Sequence, residues 1–131
     1  MISGGVATVF VSDMDEAVRF YTETLGLKLA FRFGNEWASI KAGDGLTIGL
    51  HPASKDSPAG KKGSITIGLQ LSEPIQKAVS LLKERGVKFR GSIIEDKGLS
   101  FAYFLDPDGN ELYLAEVKHE HKNYGADASA G

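Results

Sequence analysis

Apolar and polar positions along the chain follow one grammar twice. The run Val6-Ala7-Thr8-Val9-Phe10-Val11 is β-branched and aromatic and predicts a strand. Ser12-Asp13 ends it, and Asp13 with Glu16 three residues on fits a variant of the capping box, so a helix starts there. Met14, Ala17, Val18, Tyr21 and Leu25 recur at the spacing of one helix face, and Gly26 stands where a left-handed residue ends a helix. Leu27, Leu29, Phe31 and Phe33 then alternate with Lys28, Ala30 and Arg32, a strand of period two. Gly34-Asn35 turns the chain into a strand over 37–41. Gly43-Asp44-Gly45 turns it into another over 46–51, stopped by Pro52.

Residues 53–63 are polar and small and read as a linker. The grammar then restarts with a strand over 64–71, and Ser72-Glu73-Pro74 opens a helix with Pro74 at its first position. Ile75, Ala78, Val79 and Leu82 form its apolar face, and Gly86 closes it. Strands follow from Val87 towards Ile94, over 99–105 and over 112–117, with Asp106-Pro107-Asp108-Gly109-Asn110 as a strong turn between the last two. Gly86 lies 60 residues after Gly26, and Asp108-Gly109 lies 64 after Asp44-Gly45. The order is β-α-β-β-β, linker, β-α-β-β-β: duplicated modules, with a loop-length difference between the two offsets. The expected fold is α+β, two tandem βαβββ modules forming a curved mixed sheet around a cleft. The boundaries read as one domain over 1–131, with module 1 at about 4–52, the linker at 53–63, module 2 at about 64–117 and a C-terminal arm at 118–131.

Length and composition narrow the function. The 131 residues suit one domain, and halves of about 55–60 residues are too exposed to stand comfortably alone. Lys+Arg 15 against Asp+Glu 17 gives a net charge of −2, a poor basis for binding nucleic acid. Lys61-Lys62 and the run Lys83, Arg85, Lys88 and Arg90 read as solvated faces. No apolar run reaches membrane-spanning length, and no basic-then-apolar leader pattern is visible. With no cysteine there are no disulfides, thiolate metal sites or Cys nucleophiles, and a cytoplasmic location is expected. Sixteen glycines exclude a simple helical bundle. No Ser-His-Asp order, phosphate-binding loop or dinucleotide fingerprint is present, and Asp106 and Asp108 read as turn residues rather than a carboxylate dyad.

Val-Ser-Asp-Met-Asp-Glu-Ala-Val-Arg-Phe-Tyr-Thr-Glu-Thr-Leu-Gly-Leu at 11–27 resembles the opening helix motif of the vicinal oxygen chelate superfamily, and Tyr-Phe-Leu-Asp-Pro-Asp-Gly-Asn-Glu-Leu at 103–112 resembles its closing signature. That superfamily includes glyoxalase I, extradiol dioxygenases, and fosfomycin and bleomycin resistance proteins. The resemblance covers residues 4–117 and implies a homodimer. Both motifs belong to the scaffold and carry little chemistry. The family's metalloenzymes hold one divalent ion through four positions, which the resemblance carries onto Val6, Gly49, Thr66 and Tyr113. The repeat gives the same register, since Thr66 follows Val6 by 60 and Tyr113 follows Gly49 by 64. Val and Gly have no ligating side chain, and Thr and neutral Tyr are poor ligands, so no metal or other cofactor is expected at the family site. Two residues away on the same strand faces, His51 and Glu111 alone have ligating groups.

His51 and Tyr113 are the candidate catalytic residues. His51 reads as a cleft acid/base or as an inert strand-end histidine. Tyr113 reads as a ligand-orienting ring or as an aromatic filling the space of the metal. The expected ligand contacts are Thr8, Phe10, Trp37, Gly49, His51, Thr66, Gln70, Phe101, Tyr103 and Tyr113. Phe31 and Phe33 are further aromatic candidates for the cleft wall. His119 and His121 read as part of a solvated charged arm rather than a metal pair. The leading expectation is a metal-independent binder of the bleomycin-resistance type that sequesters an aromatic or amphipathic small molecule, with neither nucleic acid nor membrane as a partner. The alternatives are a glyoxalase- or dioxygenase-type metalloenzyme with a divergent site using His51, and a metal-free lyase or isomerase with His51 or Tyr113 as acid/base.

Overall fold

A computed structural model describes Met1, residues 6–60 and residues 66–117. The strands are β1 (Ala7–Val11), β2 (Lys28–Phe33), β3 (Trp37–Ala42), β4 (Leu46–Pro52), β5 (Thr66–Gln70), β6 (Phe89–Asp96), β7 (Leu99–Leu105) and β8 (Glu111–Val117). The helices are α1 (Met14–Arg19), continued by a π-helical segment Phe20–Thr24, and α2 (Ile75–Glu84). Two four-stranded sheets, ordered β1-β4-β3-β2 and β5-β8-β7-β6, carry the duplicated α+β architecture that the repeat predicts. The chain divides into two compact units, one built on β1–β4 with the turn Asp106–Glu111 added, the other on the remaining strands and α2. The arm at 118–131, with His119 and His121, and the linker's Lys61, Lys62 and Gly63 lie outside the described residues.

In the first unit β1 runs parallel to β4, while β3 pairs antiparallel with both β4 and β2. Alternation sorts the side chains. Val9, Val11, Ala38, Ile40, Ile48 and Leu50 are buried on one face, as are Met14, Ala17, Val18 and Tyr21 of the helix. Asp13 caps α1 as its spacing predicts, accepting from the Glu16 N–H at 3.0 Å. The regular helix stops at Arg19, earlier than its apolar periodicity suggests. Leu25 N–H then bonds the carbonyl of Phe20 at 2.9 Å, five residues back, which makes the last turn π-helical. Gly26 follows at φ +77°, as expected of a helix end.

Strand β2 departs from simple alternation. A bulge lies between Leu29 and Phe31, so Leu29 pairs with Ile40 whereas Phe31 pairs with Ser39 and Phe33 with Trp37. The extra residue moves Leu29 to the helix side of the sheet and leaves the two phenylalanines on the other. Arg32 reaches the helix side, where it bonds Asp15 of α1 at 2.6 Å.

The turn at 106–110 is the most densely bonded part of this unit. Oδ1 of the buried Asp106 accepts from the backbone N–H groups of Asp108 (2.9 Å) and Asn110 (2.8 Å). Its Oδ2 accepts from the Asn110 side-chain amide (2.9 Å) and from the hydroxyl of Tyr21 (3.0 Å), itself fully buried. Asp108 accepts from the backbone N–H and hydroxyl of Ser12. The Asn110 amide donates to the Phe10 carbonyl at 3.2 Å and accepts from Gly60 N–H at 3.1 Å. The two aspartates are thus turn and packing residues, as their spacing suggests. Burial pushes the Asp106 carboxyl up, against the opposing pull of its hydrogen bonds to Asn110, Tyr21 and Asp108. The same burial, with the nearby Asp106 charge, holds the Tyr21 phenol neutral far beyond its usual range.

In the second unit Ile67, Leu69, Ala102, Phe104, Leu112 and Leu114 bury one face, together with Ile75, Ala78, Val79 and Leu82 of α2. Pro74 stands one position earlier than predicted, at the cap rather than inside the helix. The Ile75 N–H at the helix start is satisfied by the carboxylate of Glu116 from β8 at 3.0 Å, which also places negative charge at the positive end of the helix dipole. Gly86 ends α2 at φ +89°.

Two variants test the Asp106 cluster. Tyr21→Phe removes one of four donors and should cost about 1 kcal/mol, whereas Asp106→Ala strands several buried donors and should cost about 2–4 kcal/mol. Urea denaturation followed by circular dichroism measures both. The pH dependence has a definite sign. The folded state holds the Asp106 proton more tightly than the unfolded chain, so the stability this group contributes is full below the unfolded carboxylate range and is lost as pH rises through the raised folded value.

Candidate functional site

Each sheet has a second face, opposite its helix, and the predicted site residues fall there by parity. On the first sheet Thr8 pairs with Gly49, Phe10 with His51, and Ser39 with Gly49. The Phe10 and His51 rings meet edge-on at 5.8 Å, and His51 meets Trp37 edge-on at 6.3 Å. With Phe33 opposite Trp37, one aromatic row crosses all four strands. Trp37 and Phe10 are half-buried and His51 is exposed.

The indole of Trp37 lies directly over Gly49. A Cβ built on Gly49 would stand 2.2 Å from the nearest indole carbon, so only glycine admits the ring there. The indole N–H donates to the Ser39 hydroxyl at 2.7 Å and fixes the ring along its strand. His51 Nδ1 lies 2.9 Å from the Pro52 carbonyl. A carbonyl only accepts, so Nδ1 carries the proton and donates, and Nε2 is the nitrogen that can accept from a ligand or take a proton.

The second sheet repeats the device with other strands. Tyr113 on β8 lies over Gly68 on β5, where a Cβ would stand 2.3 Å from the ring. Tyr113 packs against Tyr103 at 5.3 Å and Phe101 at 5.9 Å. The guanidinium of Arg90, opposite Tyr103 in the β6–β7 pairing, sits 4.9 Å over the Tyr103 ring. Thr66 and Gln70 are exposed at the two ends of β5, on the same parity as Gly68.

Phe10, Trp37, Gly49 and His51 therefore come together with Thr8 on one sheet, and Phe101, Tyr103 and Tyr113 on the other. Sequence reasoning missed Gly68 as the seat of a ring and Arg90 as part of the second row. For Arg90 the signal was its place within a basic run next to a strand, which reads equally as solvated charge. Two surface hollows of the first unit lie elsewhere. One of about 280 Å³ is lined by Ser12, Asp13 and Asn35 among others, the other of about 470 Å³ by Lys28, Leu29 and Lys41 among others. Neither includes a predicted site residue.

The four positions that the resemblance assigns to a metal do not fit one. Val6 is 48 % exposed and apolar, Gly49 lies under an indole, Thr66 offers a neutral hydroxyl, and the Tyr113 ring is spent covering Gly68. Among the described residues no group of three or more His, Asp or Glu side chains is placed to share an ion.

Duplicated βαβββ modules, each with one helix on one face of its sheet, define the class of scaffold. The chain belongs to the Glyoxalase/Bleomycin resistance protein/Dioxygenase superfamily, whose pattern matches residues 5–114. It is 30 % identical over 125 residues to the uncharacterized protein YurT of Bacillus subtilis, covering 85 % of this chain and 96 % of that one. Among solved structures it is similar to TnmS3, an antibiotic-binding protein from Streptomyces sp. CB03234, with TM-score 0.73, 29 % identity, and coverage of 90 % of this chain and 99 % of that one. A superfamily member from Sphaerobacter thermophilus matches with TM-score 0.72 and 29 % identity, covering 88 % and 98 %.

The ring-over-glycine arrangement has a direct test, because Trp37 is the sole tryptophan. Gly49→Ala forces the indole off its seat. Emission should move to longer wavelength, the indole N–H resonance should shift as the Ser39 bond is lost, and stability should fall by about 1–3 kcal/mol.

Proposed function

We propose that this protein is a metal-independent small-molecule binder of the bleomycin-resistance type, which sequesters an aromatic or amphipathic ligand against the ring-covered faces of its sheets. The observation that carries this reading is the seating of Trp37 over Gly49 and Tyr113 over Gly68, which puts π-surface where the family's enzymes use metal ligands. Flat rings anchored on backbone offer stacking area at low entropic cost. Sequestration needs shape and stacking rather than a reactive group, so the loss of ligating side chains does not impair it. The antibiotic-binding activity stated for TnmS3 supports the same direction.

The test is calorimetric titration of protein treated with a chelator, using a neutral naphthyl compound, 2-naphthalenemethanol, as the probe. Saturable binding should survive chelation, and Trp37→Ala and Tyr113→Ala should each weaken it by about threefold to tenfold. A stoichiometric divalent ion in purified protein, lost in His51→Ala, would instead establish the metalloenzyme alternative.

Assembly as a homodimer belongs to the same proposal. Its support is the edge strand β2, where Phe31 and Phe33 are 57 % and 65 % exposed, more apolar surface than a lone edge normally shows. Sedimentation equilibrium should return twice the chain mass at micromolar concentration, and the single chain mass would refute it.

A further inference from the structure

Two rings of the first sheet's aromatic row carry nitrogen, and their polar atoms have different fates. The Trp37 indole N–H is spent on the Ser39 hydroxyl at 2.7 Å. His51 spends only one of its two nitrogens, since Nδ1 donates to the Pro52 carbonyl at 2.9 Å. That bond fixes more than the tautomer. It aims Nδ1 at the backbone of its own strand, and the two nitrogens of an imidazole point away from each other, so Nε2 faces away from that carbonyl. Phe10 and Trp37 meet the ring edge-on, at interplanar angles of 73° and 71°. His51 is exposed, and among the described residues Nε2 has no hydrogen-bond partner.

Phe10 and Phe33 bring no polar atom, so Nε2 is the ring atom of this row left for a ligand to bond. Its chemistry is one-sided. The hydroxyls of Thr8 and Ser39, both paired with Gly49 beside the row, can rotate to donate or to accept, whereas a neutral Nε2 only accepts. An aromatic molecule laid over the row strips water from Nε2. A donor on the edge of that molecule replaces the water, and a molecule without one leaves a desolvated acceptor unpaired. Building on the reading that the rings bind an aromatic ligand, we propose that His51 selects for a hydrogen-bond donor on the edge of the ligand's ring. The preferred class is phenols and N–H heteroaromatics rather than their alkylated counterparts.

The experiment compares two probes with the same ring, 2-naphthol and 2-methoxynaphthalene, by calorimetry on the chelator-treated full chain. The wild type should bind the naphthol about threefold to tenfold more tightly than the ether, the range of one hydrogen bond. His51→Phe keeps an aromatic ring and removes the acceptor, so the naphthol-to-ether ratio should fall to about one. His51→Gln puts an amide oxygen within similar reach and should restore part of it, and unchanged circular dichroism will show that both variants fold. On the wild type, long-range proton–nitrogen correlation spectra should show the proton on Nδ1 and a bare Nε2 whose resonance shifts with the naphthol but not with the ether. A proton on Nε2, a wild-type ratio near one, or a ratio that survives His51→Phe overturns this assignment while leaving the aromatic-binder reading in place. Failure of both probes to bind overturns that reading and the assignment with it.

Discussion

Everything distinctive here follows from one constraint: each sheet has four strands and a single helix, so a helix covers only one of its faces. Period-two alternation then decides which residues meet the helix. Val9, Val11, Ile40, Ile48 and Leu50 go to the helix side of the first sheet and are buried. The residues between them must solve a different problem, since a polar face would leave the sheet thin and an aliphatic one would be indiscriminately sticky. The chain resolves this with rings laid on glycine. An indole or phenol seated against bare backbone shields the strand beneath, and glycine alone leaves room for it.

The second dependence is the Asp106 carboxylate. Burying a charge costs several kcal/mol unless hydrogen bonds repay it, and here four donors converge on two oxygens. The same turn sends Asp108 to Ser12 and Asn110 to the Phe10 carbonyl, so the residues that shape the turn also pin the end of β1 and the start of α1. Phe10 begins the aromatic row of the first sheet, which ties that row's position to a polar cluster on the other side of the strand.

The sequence displays the local half of this structure. Strand alternation in β1, β3 and β4, the Asp13 cap, Gly26 and Gly86 as helix ends, and the 106–110 turn depend on neighbours within four residues, and all are present as read. The two repeat offsets carry further, placing Gly49 and Tyr113 at equivalent strand positions before any coordinates. What stays hidden depends on partners far along the chain. Tyr21 reads as one more apolar residue of a helix face, although its hydroxyl serves Asp106, 85 residues away. Glu116 reads as a strand-end charge, although it caps α2. The β2 bulge alters strand parity without any compositional mark at Ala30, and the β6 irregularity inserts two extra residues with only Gly91 as a hint.

The duplication, finally, has not kept its two faces alike. In the first module the ring comes from β3 and covers the glycine of β4. In the second it comes from β8, the counterpart of β4, and covers the glycine of β5, the counterpart of β1. One row is Phe, His, Trp and Phe, with a single ring nitrogen able to accept a hydrogen bond or take a proton. The other is Arg, Tyr and Tyr. A symmetric set of similar donors would suit a single ion, whereas the two sheet faces carry unlike side chains. The duplication has thus kept the strand order of the two modules while the side chains of their second faces have diverged.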